Sequence, residues 1–361
     1  MSKSPVAVAR VALHIGQAAL PLYSSKYSPR TYTQAQLFAC LVLRQFFRTD
    51  YRGVIAMLND FRELRQVLGL TQVPHYSTLC YAQRRLMRAG LFHALQQQVW
   101  QAAQQAGLVE AQPTGMVDAT GLEARHVSRY YVWRTGYRRF RRRRWPKLTL
   151  AGDEGTHLIA GIWVSWGPSQ DSPQFGPVVR QAARHVHWDR MIADTAYDGE
   201  HNHVLCRERL GIRSTVIPLN RRNGRKWPRR RYRRQMKRRF FKRVYRRRWQ
   251  IESLISRHKR VLGVSLRARR ARTQKQECLV RVLTHNLMIL RRSARFSTEQ
   301  RAFLIIHWVG NDIALRNYMV KGAAWGLEGG APGVLLTLQA RAFATCLRVT
   351  QQTKFLADEE G

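Results

Sequence analysis

Three acidic residues stand where carboxylates are least expected in this chain. The stretch YRRRWQIESLISRHK (residues 245–259) crowds arginines around a lone carboxylate, Glu252, whose nearest acidic neighbours in sequence are Glu208 and Glu277. Apolar runs end at Asp118 in GMVDATG and at Asp194 in DRMIADTAYD. A carboxylate 4 Å from a phosphate is repelled by roughly 4 kcal/mol at an effective dielectric near 20, so acids on a surface that binds a polyanion point to a cation that reverses the sign. The carboxyl end of a strand is where α/β proteins carry functional groups, although either Asp alone serves equally as a turn cap. On a helix advancing about 100° per residue, Tyr245, Arg248, Glu252 and Lys259 fall at roughly 0°, 300°, 340° and 320°, within about a sixth of the circumference. Ile251, Ile255 and Leu262 cluster to one side of that stripe, where the helix can seat on a sheet. The alternative for Glu252 is a surface ion pair with Arg248, worth a few tenths of a kcal/mol.

The polyanion follows from composition. Among 361 residues, 63 Lys and Arg face 22 Asp and Glu, a formal net charge of +41, while 45% of residues are hydrophobic. That much apolar material builds a core, so the charge marks a basic surface and not disorder. Nucleic acid is the partner such a surface expects. No apolar run approaches a membrane span and the N-terminus lacks a signal-peptide pattern, so the expectation is no membrane partner and a cytoplasmic, nucleoid-associated protein. Cys40, Cys80, Cys206, Cys278 and Cys346 are scattered without a Cys-x-x-Cys pair, which argues against a disulfide framework or a zinc site.

The elements that must position the acids divide into three segments. Residues 1–112 read as an N-terminal helical domain: Leu37, Leu41, Leu43, Phe46 and Phe47 recur at helical spacing, Pro74 interrupts, and Ser77 offers an N-cap for a further helix. This segment is a candidate DNA-binding domain of helix-turn-helix type. Residues 113–295 read as α/β, with short apolar runs at 116–117, 148–150, 158–164, 191–193 and 215–217 around a central sheet, followed by a helical pattern from Val244. The tail, 296–361, has no assignable role. Two segments, 137–147 and 221–243, interleave dense arginine with Tyr, Trp and Phe, a composition suited to phosphates and stacked bases.

The spacing Tyr245, two residues, Arg248, three residues, Glu252, six residues, Lys259 resembles the YREK signature of the DDE transposases of bacterial insertion sequences. GMVDATG and ADTAYD are similar to the first and second Asp regions of that family, and TDYRGVIAMLND and VPHYSTL to segments of its helical N-terminal part. The resemblance implies an RNase H-like catalytic core, with Asp118 on the first strand, Asp194 at the end of the fourth and Glu252 on a later helix. It implies that the three carboxylates hold two Mg²⁺ ions, with Mn²⁺ able to substitute, for cleavage at transposon ends and strand transfer into target DNA. Arg248 and Lys259 would hold phosphates and Tyr245 the terminal backbone or a displaced base. The implied partners are terminal inverted repeats and target DNA, bound by a homodimer. Little room exists between Asp194 and Glu252 for the β-rich insertion of larger members; the arginine-rich segment stands there.

Asp198 is the rival for the second acidic position, with a structural role expected, and Asp171 a weaker one. His185, His187, His201 and His203 are expected as polar surface or DNA contacts, since imidazole suits Mg²⁺ poorly. The competing class is a non-enzymatic DNA-binding protein derived from a transposase, which has no use for all three acids.

Overall fold

A computed structural model describes residues 1–124, 145–220 and 227–291. The described residues belong to one unit, Met1–Thr298. The tail and most of the first arginine-rich segment lie outside them.

Five strands form the central sheet: β1 (Thr114–Gly121), β3 (Trp145–Asp153), β4 (Ile159–Gly167), β5 (Arg190–Ala193) and β6 (Ser214–Val216). Their order is β4-β3-β1-β5-β6, antiparallel from β4 to β1 and parallel from β1 to β6. All five arise from the apolar runs, whose β-branched and bulky residues fit a pleated surface buried on both faces. A second sheet pairs β2 (Glu123–Ala124) with β7 (Ser265–Leu266) in parallel. Asp118 is not at a strand end: β1 continues to Gly121 along β3, whereas β5 stops at Ala193, opposite Val117.

Six helices precede the sheet: α1 (Pro5–Ala19), α2 (Gln34–Phe46), α3 (Tyr51–Asp60), α4 (Arg62–Leu68), α5 (Tyr76–Leu86) and α6 (Ala89–Gln105). Thr33 and Gln36 form a reciprocal capping box at the start of α2. Ser77 does not cap α5. His75 takes the extended capping conformation, and the Ser77 hydroxyl instead lies 2.8 Å from His75 Nδ1.

Helix α7 (Ser172–Ala183) covers β4 and β3, approaching so closely that a Cβ on Gly161 would meet the Val178 carbonyl at 2.4 Å. Further on are α8 (Glu200–Val204), a π turn at Leu205–Arg209, α9 (Arg231–Arg238), α10 (Lys242–Arg246), α11 (Trp249–Leu262) and α12 (Ala271–Leu290). The helix expected from Val244 onward is thus three helices and a short strand.

Helix α12 is buried on nearly every side, in contact with α1, α2 and α6 as well as β4. Its polar residues are paired. Glu277 accepts the backbone N–H groups of Arg267 and Ala268 and forms a 3.0 Å ion pair with Arg281, while Asn286 brackets the Ile159 backbone and donates to Gln96. Through α12 the helical segment and the sheet share one apolar core.

Gly161→Ala should force α7 off the sheet, because the obstructing atom is backbone and cannot rotate away. A loss of about 1–3 kcal/mol is expected from urea denaturation midpoints.

Candidate active site

The β1–β5 register decides where two of the acids go. Val117 pairs with Ala193 across parallel strands, so Asp118 and Asp194 are the next residues on neighbouring chains, which run about 4.8 Å apart. Asp118 Oδ1 accepts the Ala119 N–H at 2.8 Å. At Asp194 the chain leaves the sheet: its Oδ1 accepts the Thr195 N–H at 2.7 Å, capping the 3₁₀ turn Thr195–Tyr197. The sequence allowed each Asp to be a cap or a functional group; Asp194 makes a cap bond while standing beside a second carboxylate.

Glu252 arrives on α11. That helix buries Ile251, Leu254, His258 and Leu262, all at most 2% exposed; Leu254 packs over Gly152 of β3, where a Cβ would come within 2.4 Å of it, and His258 lies against His285 of α12. The buried face therefore includes Leu254, which the wheel omitted, while Ile255 is only partly buried. Tyr245, Arg248, Glu252 and Lys259 do not share one helix. Tyr245 belongs to α10, Arg248 is the N-cap of α11, and the turn between them keeps near-helical angles at Arg247 and Arg248.

Arg248 ties the acids together. Its Nη1 lies 3.5 Å from Asp118 Oδ2 and its Nη2 2.5 Å from Glu252 Oε1, while the Tyr245 hydroxyl donates to Asp194 Oδ1 at 3.3 Å. The surface ion pair between Glu252 and Arg248 is thus present, but it is one arm of a bridge to Asp118. Burial alone would lower the Arg248 pKa; the charges of Asp194, Asp118 and Glu252, with the Tyr245 phenol, outweigh it and hold the guanidinium above its ordinary value. Burial raises the Asp118 pKa, and repulsion from Asp194 and Glu252 adds to the rise against the Ala119 N–H and Arg248. Burial and the Asp194 charge likewise raise Tyr245.

Asp118, Thr120, Glu252, Ser256, Lys259 and Arg260 line one open cleft. Thr120, Ser256 and Arg260 were not singled out in the sequence. Ser256 and Arg260 follow Glu252 at i+4 and i+8 and would have been found by extending the same helical face. As the side chains stand, no three Asp, Glu, His or Cys groups among the described residues form a cluster able to hold a metal ion. The donor set itself suits a hard cation: carboxylate oxygens in a half-buried setting, one of them on Glu252, whose side chain is 56% exposed and paired with Arg248.

Asp198 has a different environment. It forms a bidentate pair with Arg233, both distances 2.8 Å, and accepts the Asn220 N–H at 2.9 Å. With Glu200, which accepts the Tyr232 and Arg233 N–H groups, and Glu208, which accepts the Tyr232 hydroxyl, it clasps the basic helix α9. Asp171 pairs with Lys147. Of the histidines, His187 and His201 are exposed, but His203 is not a surface residue. It is buried against Thr215, and burial pushes its pKa down to about 4, as it does for the half-buried His185.

The sign of the Asp118 shift makes a prediction. A carboxyl whose pKa is higher in the folded than in the unfolded state costs stability once ionised, and the cost appears as pH rises above the usual value near ~3.9 and through the folded pKa. Asp118→Asn should therefore raise the melting temperature at pH 7, by roughly 2 °C, with the gain shrinking as pH falls through that window. A less stable variant at pH 7 would contradict the electrostatic account.

Residues 110–287, which contain all three acids, match the family model of the transposase DDE domain, and this match supports a DDE transposase. Among solved structures, the piggyBac transposase in its synaptic complex with hairpin DNA is similar at a TM-score of 0.42 and 9% identity, over 92% of this chain and 87% of that one, a likeness too loose to bear on function.

Proposed function

We propose that this protein is a DNA transposase of the insertion-sequence type that cleaves transposon ends and transfers the exposed strands into target DNA. The observation that carries the reading is the placement of Asp118 and Asp194 side by side on parallel strands with Glu252 linked to Asp118 through Arg248. The sheet order β4-β3-β1-β5-β6, three strands antiparallel and then two parallel, supports an RNase H-like core.

Asp118, Asp194 and Glu252 are the residues that would hold divalent ions, Mg²⁺ or Mn²⁺. When bound, such a pair lowers the pKa of an attacking water or 3′-hydroxyl and stabilises the oxygen leaving phosphorus. The chain's own groups do the rest. In the absence of divalent ions Arg248 offsets part of the acids' charge through Asp118 and Glu252, and with such ions held there it would be available to phosphate. Lys259, on the same wall of the cleft as Glu252, holds phosphate oxygens beside the scissile bond. Tyr245 fixes the Asp194 carboxylate through its hydroxyl and faces the terminal nucleotide. Terminal inverted repeats and target DNA are the substrates, a homodimer the working form, and the nucleoid the place of action.

The purified protein, incubated with the DNA flanking its own gene and Mg²⁺ or Mn²⁺, should cut at the element's ends. Glu252→Gln should abolish cutting and leave DNA binding intact, since the side chain is exposed and its loss leaves the core untouched. Equal cutting by both proteins would remove Glu252 from the mechanism; binding without metal-dependent cutting by the wild type would favour a DNA-binding protein that is not an enzyme.

A further inference from the structure

We infer that a second groove, formed where the C-terminal end of α5 meets the N-terminal end of α12, binds the phosphodiester backbone of duplex DNA outside the carboxylate cleft. Its lining is Arg84, Arg85, Arg88, Arg270 and Arg272 with Tyr81, Thr273 and Gln276. The inference rests on the proposal that the substrate is DNA.

No carboxylate lines this groove, and none of its five arginines forms an ion pair among the described residues. Arginines without an acid partner are common in so basic a chain; this groove differs in gathering five of them along one depression with no carboxylate in its lining. Five guanidinium groups concentrated without counter-charge repel one another unless an external anion enters. The half-buried Arg85 shows the cost, its pKa lowered by burial and by the neighbouring Arg88.

The groove is also built. Arg85 is held by two hydrogen bonds to Gln34 Oε1, at 2.9 and 3.1 Å, and Gln276 of α12 donates to the Arg84 carbonyl at 3.3 Å, fixing the two walls to each other. The Thr273 hydroxyl donates to the Arg270 carbonyl at 2.8 Å, ordering the turn that carries Arg270 and Arg272.

The chemistry favours a long anion over a small one. Tyr81 is 62% exposed beside the groove, with the Arg84 guanidinium 5.7 Å from its ring, and at the opening turn of α5 Arg52 lies 4.8 Å from the Tyr76 ring. The lining runs from Tyr81 and Arg84 on α5 across to Arg272 and Thr273 on α12, so its arginines stand on two walls and can meet more than one phosphate. Contacts of this kind position a duplex without reading its sequence.

The test uses the full chain in EDTA, so that no cutting occurs, with a fluorescent duplex of arbitrary sequence and binding measured against salt. Each phosphate contact contributes about 0.9 to the slope of log K against log salt. Replacing Arg84, Arg88, Arg270 and Arg272 by Gln should lower the slope by about 3.6 and weaken binding at least roughly tenfold near 0.1 M salt. A control with Arg180, Arg184, Arg209 and Arg213 replaced by Gln, exposed and outside both the groove and the helical segment, removes the same charge and should keep the wild-type slope to within about 1. Should the fourfold variant fail to fold by its melting curve, Arg84→Gln with Arg272→Gln, both exposed, should lower the slope by about half as much. Equal loss in groove variant and control, or none in the groove variant, overturns the inference while leaving the transposase reading in place. A wild type that binds no duplex overturns that reading instead.

Discussion

The parallel pairing of β1 with β5 is the constraint on which the site depends. By setting Val117 against Ala193, it brings two carboxylates to adjacent positions in a half-buried setting, where their repulsion has no water to screen it fully. Such a pair needs positive charge nearby. In this structure the charge is Arg248, reaching Asp118 and Glu252 at once, with Tyr245 donating to Asp194.

The supporting architecture holds that pair from behind. Helix α11 presses its apolar face onto β1 and onto the Cα of Gly152, so the Glu252 backbone is fixed while its exposed side chain is held by Arg248. Helix α12 ties the helical segment to β4 through Asn286 and to the β7 region through the buried Glu277–Arg281 pair. A buried ion pair of this kind contributes little net stability, but removing one partner would strand the other charge, so it fixes the path of the chain before α12 firmly.

Two groups of acids in this basic chain have contrasting surroundings. Asp198, Glu200 and Glu208 are consumed in holding α9, a helix of sequence RYRRQMKR that could not settle on the protein without counter-charge. Asp118 and Glu252 line a cleft and share Arg248, with Asp194 beside Asp118 at the end of β5. The groove between α5 and α12 has no acids in its lining at all.

Much was legible in sequence because it is local. The positive excess, the five apolar runs that become the sheet, and the helical face shared by Glu252 and Lys259 depend on composition and periodicity alone, and local periodicity survives folding wherever an element buries one side. What sequence could not decide was non-local. Asp194 and Asp198 are four residues apart in the same turn region, and only the β1 register and the approach of Arg233 from α9 give one a carboxylate neighbour and the other a guanidinium clamp. His203 is surface-like in sequence and buried in the fold for the same reason. The residue types and their order set which charges were available; the pairing of distant strands and helices set which charges meet, because electrostatic energy depends on separation in space and burial, and neither quantity is written along the chain.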